Sequence, residues 1–112
     1  VDVVGHSLGG WIAAEIAIRN ADAIRSLTLI APAGVRTKGS LSGDFFLWSP
    51  EERAHNLFHD QQLASKYLAA SSEPALLETQ LKNNYAAARI AWQPRFYNPE
   101  LQRWLHRIKV PV

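Results

Sequence analysis

The first thirty residues alternate between two patterns of hydrophobic and polar positions. Residues 1–4 are apolar apart from one acid, and residues 26–30 are apolar or β-branched apart from the opening serine, which predicts two strands. Between them, residues 8–19 follow the 3.6-residue spacing of a helix and carry several small alanines. A strand, a helix and a second strand in this order predict a βαβ unit, with parallel strands and a right-handed connection.

The pattern is helical for most of the remaining chain. After a polar loop at 35–48, the sequence Ser49-Pro50-Glu51-Glu52 forms a capping box with proline at the first helical position, which predicts a helix over about 50–70. A second helix is predicted to begin near Ser72-Glu73-Pro74. A third is predicted from Asn98-Pro99, with Asn98 as its N-cap.

These elements predict an α/β fold in three parts. The core βαβ unit occupies residues 1–34, a helical cap or lid occupies 35–107, and residues 108–112 begin the next core strand. The sequence has no methionine and opens on a strand that is already under way, so we expect it to be an internal fragment of a longer protein.

The composition of the chain restricts the classes of protein to which it can belong. With 112 residues, 47% hydrophobic and 20% charged, the chain has the balance of one small globular domain. The net charge of +2 is spread along the sequence, which argues against a nucleic-acid surface. The absence of cysteine excludes disulfides and thiolate chemistry and fits a reducing compartment, so we expect a cytoplasmic location. No apolar run approaches the roughly 20 residues that span a bilayer.

A glycine-rich turn between the first strand and the helix carries the candidate chemistry. The turn reads Gly5-His6-Ser7-Leu8-Gly9, followed by Gly10, which is the pattern G-x-S-x-G. A chain that passes from strand to helix in so few residues holds its serine strained at the tip, and we expect a side chain at Gly5 or Gly9 to collide with neighbouring backbone. The following helix would direct its free N–H groups and positive dipole end at the serine oxygen.

Two phosphate-binding patterns do not fit this turn. A P-loop needs Lys-Ser or Lys-Thr after its glycines, and none follows here. The dinucleotide fingerprint needs glycines at the spacing G-x-G-x-x-G, whereas these stand at positions 5, 9 and 10. The strand before the turn and the alanine-rich helix after it instead match the context of a nucleophile elbow.

The segment Val3–Gly10 resembles the nucleophile elbow of the α/β-hydrolase superfamily, and Leu27–Gly34 resembles the strand that follows in that fold. The resemblance implies that Ser7 is the nucleophile and that the N–H of Leu8 is one oxyanion donor. The remaining elbow residues would be Gly5, His6, Gly9 and Gly10, with His6 packing under the elbow. In this superfamily the acid and then the base histidine follow the serine, so both are expected after residue 112 and the second oxyanion donor before residue 1.

The function implied is hydrolysis of an ester or related carbonyl substrate through an acyl-enzyme, with no metal or organic cofactor. We expect a small-molecule substrate as the partner and an inactive isolated fragment. A C–C bond hydrolase and a cofactor-free haloperoxidase also keep the serine, and a non-catalytic binding module is a third alternative; all stay open. Haloalkane dehalogenases and epoxide hydrolases use aspartate as nucleophile, and Ser7 argues against both.

The predicted cap holds candidates for the substrate pocket. Aromatic residues are frequent there, and we expect an apolar pocket shaped by some of Phe45, Phe46, Trp48 and Trp92. His55 and His59 stand four apart on the predicted helix 50–70 and would share a face. Asn56 takes the place of the glutamate in H-E-x-x-H and no third ligand is evident, so no metal site is expected.

Overall fold

The computed structural model describes residues 1–39 and 43–112. Residues 40–42, which belong to the polar loop predicted at 35–48, lie outside the described part. By their contacts the described residues form two compact units, one of residues 1–39 with 93–112 and one of residues 43–92. We call them the sheet unit and the helical unit.

The sheet unit contains the predicted βαβ arrangement. Strand β1 (Asp2–His6) leads into helix α1 (Leu8–Arg19), which returns to strand β2 (Ser26–Ile30). The strands are parallel, with Asp2 opposite Ser26 and His6 opposite Ile30. The bounds of α1 and β2 agree with the prediction, whereas β1 extends two residues past the predicted segment and ends beside Ser7.

Alanines on α1 allow the helix to pack closely along two adjacent faces. Ala13 and Ala17 pack with Leu27 of β2, which is only 1% exposed. Ala14 and Ile18 lie on the neighbouring face and pack against Leu101, which is fully buried. A methyl group is the smallest apolar side chain, so its presence at these positions lets the helix axis approach the sheet and the later chain.

The last part of the chain returns to the sheet unit. The carbonyl of Pro111 accepts a hydrogen bond of 2.9 Å from the N–H of Leu27, so the end of the predicted strand 108–112 lies along β2. Residues 108–112 nevertheless form no regular strand. Residues 93–107, which were predicted as part of the helical cap, also belong to this unit by their contacts.

The helix predicted to begin at Asn98 begins later and is short. Helix α5 spans Leu101–Trp104 and continues into a 3₁₀ turn at Leu105–Arg107. The Asn98 side chain instead braces the preceding turn, because its Oδ1 accepts from the N–H of Glu100 at 3.0 Å. The prediction of Asn98 as N-cap was therefore wrong by two residues, since an Asn-Pro pair can open a turn as well as a helix.

The helical unit contains three helices rather than the two predicted there. They are α2 (Pro50–Leu57), α3 (Gln61–Ser71) and α4 (Pro74–Ala91). The predicted capping box is present: the Ser49 side chain accepts from the N–H of Glu52, and the Glu52 carboxylate accepts from the N–H of Ser49. Among the helices of the described residues, none combines the length and the apolar character that crossing a bilayer requires.

The single helix predicted over 50–70 is interrupted at residues 58–60. Phe58 is extended, and Asp60 starts α3 by accepting from the N–H of Gln62 at 2.8 Å. The Gln61 side chain donates to the carbonyls of His55 and Phe58, which satisfies groups that the end of α2 leaves without helical partners. The aspartate that caps a new helix and the glutamine that closes the old one together explain the break.

An exposed ion pair connects the ends of the two strands. Asp2 accepts from Arg25 and, at 2.7 Å, from the hydroxyl of Ser26. The hydrogen bonds from Arg25 and Ser26 lower the pKa of Asp2 from 3.8 to about 2. Because this pKa is depressed, the stabilising contribution is present above pH 3.8 and is lost as the pH falls through about 2.

We therefore expect the variant Arg25→Gln to raise the pKa of Asp2 towards 3.8. The change is measured by following the carboxyl carbon of Asp2 by NMR through an acid titration. Arg107→Gln, which removes an arginine elsewhere in the same unit, should leave the titration in place. A midpoint near 3.8 in the unmodified protein would show that the ion pair does not form in solution.

Candidate active site

Ser7 lies between β1 and α1 in a backbone conformation that is rare for a residue with a side chain. Its φ is 52° and its ψ is −117°. A conformation of this kind costs about 1–3 kcal/mol and persists only where surrounding structure enforces it. The sharp strand-to-helix turn predicted from the glycine spacing is thus present, with the serine at its strained position.

Two glycines make this turn sterically possible. A Cβ atom built on Gly5 would lie 2.7 Å from the Cα of Gly10 and 2.7 Å from the carbonyl oxygen of Gly9. A Cβ on Gly10 would lie 2.8 Å from the Cβ of Pro32. The predicted collision at Gly9 was wrong, because no heavy atom lies within 4 Å of a Cβ built there. The close approach of α1 to β1 therefore needs glycine at position 5, and its close approach to the loop after β2 needs glycine at position 10.

The hydroxyl of Ser7 does not cap the N-terminus of α1, although capping is the usual role of a serine at this position. Ser7 is the residue at the N-cap of α1, yet its side chain makes no capping hydrogen bond. An N-cap serine normally has an extended backbone that turns its oxygen back over the helix, and the positive φ of Ser7 prevents this. The residue is exposed, so its oxygen is accessible.

The first amides of α1 lie directly after the serine. Leu8, Gly9 and Gly10 open the helix, and N–H groups in the first turn have no acceptor within their own helix. No acidic side chain stands in this turn. The amide of Leu8 is therefore the first of these N–H groups after Ser7, at the positive end of the helix dipole. Its role as an oxyanion donor stays a prediction.

The backbone of Ser7 is fixed by three hydrogen bonds. Its N–H donates to the carbonyl of Ile30 at 3.0 Å, which is the last hydrogen bond of the pairing between β1 and β2. Its carbonyl accepts from the N–H of Trp11 at 3.2 Å and from the N–H of Ala33 at 3.0 Å. The strained residue is thus held by β2, by α1 and by the loop that follows β2.

A carboxylate on α1 joins the elbow helix to the returning chain. Glu15 accepts from the indole of Trp11 at 3.0 Å, from Arg19, and from the side-chain amide of Asn98 at 2.7 Å. Burial raises the pKa of Glu15, but these hydrogen bonds outweigh it and leave the pKa below its ordinary value. Glu15 is therefore accounted for as a structural group. No local pattern in the sequence signals this role, because Asn98 is 83 residues away.

A polar cleft of about 450 Å³ lies beside the loop after β2 in the same unit. Gly34 and Tyr97 pair as an isolated bridge, which brings the returning chain against that loop. Arg36 lies over the ring of Tyr97, 5.3 Å from its centroid. Ala33 donates to the carbonyl of Ser7, and Arg36, which lines the cleft, is three residues further along the same loop.

The other predicted site residues are distributed between the units. His6 is exposed, so the expected packing under the elbow is not observed. In the helical unit, the ring centroids of Phe46 and Trp92 lie 5.6 Å apart, and those of Phe45 and Phe46 lie 6.3 Å apart. Trp48 is half-buried in the same unit. Phe45, Phe46 and Trp92 form an aromatic cluster, and the role of these three residues and Trp48 in a substrate pocket stays a prediction.

The two histidines weighed as metal ligands do not share a helical face. His55 lies in α2, whereas His59 lies beyond its end, in the break before α3. The ring Nδ1 of His55 is 2.8 Å from the side-chain oxygen of Gln61. Within residues 1–39 and 43–112, no three potential metal ligands come together.

Comparison of the chain with models of protein families, with curated proteins and with solved structures finds no match.

Proposed function

We propose that this chain is the elbow-bearing part of a serine hydrolase of the α/β-hydrolase fold. The observation that carries the proposal is the backbone of Ser7: a non-glycine residue at φ 52° and ψ −117°, between a parallel strand and a helix N-terminus. Residues with strained backbone conformations cluster at active sites and ligand clamps. The hydroxyl that it orients makes no capping bond and is accessible.

The reaction follows from the chemistry of an activated serine. A histidine base takes the proton of Ser7 as its oxygen bonds to the carbonyl carbon, and the N–H of Leu8 stabilises the resulting oxyanion. The same histidine then returns the proton to the leaving group as the bond to it breaks, which leaves an acyl-enzyme. Water releases the acid by the same steps in reverse order. In this proposal the histidine and its carboxylate partner lie after residue 112.

Exposed apolar side chains give the proposal further support. Val4 is 67% exposed on β1 and Ile30 is 49% exposed on β2, while Ile12 and Ile16 are each half exposed on α1. Apolar residues on both strands and on one stripe of the helix are typical of a unit that packs within a larger sheet. An α/β-hydrolase sheet would cover them.

Labelling with a fluorophosphonate probe tests the proposed nucleophile. We expect the full-length protein to form a covalent adduct, and mass spectrometry of its peptides to locate that adduct on Ser7. Ser65→Ala removes a surface serine of α3 that only bonds the carbonyl of Gln61, so it should leave labelling unchanged. The 112-residue chain alone should label no more than its Ser7→Ala variant, because the base is missing.

The position of the adduct decides the outcome. An adduct on another serine, or none in a folded full-length protein, would overturn the assignment of Ser7. Labelling of the isolated chain at Ser7 would keep the nucleophile and contradict the location of the base after residue 112.

A further inference from the structure

The helical unit contains an apolar cavity that the proposed chemistry does not use. It measures about 170 Å³ and is formed by α2, α3 and α4. Its apolar lining comes from Tyr67 and Leu68 of α3 and from Leu77 and Leu81 of α4. Leu77 and Leu81 are one turn apart, so a single stripe of α4 faces the cavity.

One cation lines this cavity, and its hydrogen bonding is incomplete. The guanidinium of Arg53 lies over the ring of Phe45, 4.0 Å from the centroid, and its Nη2 donates to the carbonyl of Phe45 at 3.0 Å. Its Nε is buried and has no hydrogen-bond partner among the described residues. A buried donor without an acceptor is uncommon in native proteins, and a water or ion is one of the groups that can supply the acceptor.

No carboxylate neutralises Arg53 within the residues that the structure describes. Glu52, its neighbour in α2, is committed to the amide of Ser49 in the capping box. The ring of Phe45 and one backbone carbonyl fix the guanidinium in place but leave its positive charge uncompensated. An anionic acceptor is therefore the group that complements it, and a carboxylate matches the geometry of a guanidinium.

The volume limits the size of the apolar part of a ligand. A closed apolar cavity of about 150 Å³ holds one benzene molecule. The pocket of about 170 Å³ is partly open, with Leu77 46% and Leu81 69% exposed, and its volume suits a single ring or a short branched chain. Pockets for drug-sized ligands are about 300–1,000 Å³, which is larger than this one. The side chains of Gln80 and Asn84 add polar atoms to the lining.

We propose that this cavity binds a small organic carboxylate, with a body the size of one ring packed against the leucines and its carboxylate at Arg53. The site lies wholly in the helical unit and does not depend on the role of Ser7. The helical unit would therefore bind this carboxylate whether or not Ser7 is a nucleophile.

Binding of two ring compounds by the full chain tests the proposal. Benzoate carries the ring and the carboxylate, whereas benzyl alcohol carries the ring without the charge. We expect benzoate to shift the NMR signals of the Leu68, Leu77 and Leu81 methyl groups, and to bind at least about tenfold more tightly than benzyl alcohol. Acetate, which has the charge without the ring, should bind more weakly than benzoate.

Two variants test whether Arg53 itself, rather than the overall positive charge of the helical unit, binds the carboxylate. Arg53→Met keeps the length of the side chain and should reduce benzoate binding to the level of benzyl alcohol. Arg89→Met removes an exposed arginine of α4 and should leave benzoate binding unchanged. If Arg53→Met does not fold, the comparison of the two ring compounds in the unmodified protein still decides the question. Equal affinity for both, or shifts outside the cavity, would overturn the proposal.

Discussion

Neither Ser7→Ala nor Ser7→Gly is expected to hydrolyse an ester at more than about one thousandth of the rate of the unmodified full-length protein. Both variants remove the oxygen that is proposed to form the acyl bond, and loss of a triad nucleophile costs at least this factor, which is about 4 kcal/mol of transition-state stabilisation. The residual rate would come from the oxyanion donors alone.

The two variants should differ in stability even though both are inactive. At φ 52° and ψ −117° the Cβ of alanine is strained, and glycine has none. We therefore expect Ser7→Gly to have a free energy of unfolding about 1 kcal/mol above that of Ser7→Ala. In an ordinary helix or strand the order is reversed, because alanine is favoured there by about 0.5–1 kcal/mol.

Two measurements on each Ser7 variant check the expected loss of activity and the expected order of stability. Steady-state hydrolysis of a panel of short-chain and long-chain acyl esters gives the rate, and hydrogen exchange of the α1 amides gives the local free energy of opening. Full activity in Ser7→Ala would end the assignment of the nucleophile. An alanine variant more stable than the glycine variant would contradict the strained backbone instead.

Gly5→Ala is expected to lower the free energy of unfolding of the sheet unit by about 3 kcal/mol. The added Cβ would lie 2.7–2.8 Å from three backbone atoms of Gly9 and Gly10. Backbone atoms cannot rotate away as a side chain can, so the N-terminus of α1 must move off β1. That movement would also shift the amide of Leu8, which is the proposed oxyanion donor.

Gly9→Ala provides the matched comparison in the same motif. A Cβ there meets no atom within 4 Å, and alanine is favoured over glycine in a helix by up to about 1 kcal/mol. We expect this variant to be slightly stabilised, as measured by hydrogen exchange of the α1 amides. Equal losses in both variants would mean that the motif needs glycine for a reason other than the contact between β1 and α1.

The sequence predicted correctly those structural features that depend on residues close together in the chain. The spacing of apolar residues predicted α1 and β2 with their observed bounds, and Ser49 with Glu52 predicted the start of α2. The strain at Ser7 followed from the short distance between the strand and the helix. Each of these features depends on residues a few positions apart, which the sequence displays directly.

Features that depend on distant residues could not be read in this way. The bond from Asn98 to Glu15 joins residues 83 apart, and it accompanies a turn where a helix was expected. The need for glycine at position 10 depends on Pro32, which is 22 residues away in the sequence. The cavity at Arg53 needs three helices in their packed positions. Its one signal in the sequence is the Leu77 and Leu81 pair of α4.

The carbonyl of Ser7 is held from two directions, by the amide of Trp11 on one side and that of Ala33 on the other. The orientation of the proposed nucleophile is therefore coupled to the segment that follows β2. If Ser7 is the nucleophile, we expect substitutions between residues 31 and 34 to alter its reactivity through this backbone contact. Natural or engineered changes in rate could then arise in this loop while the motif itself stays intact.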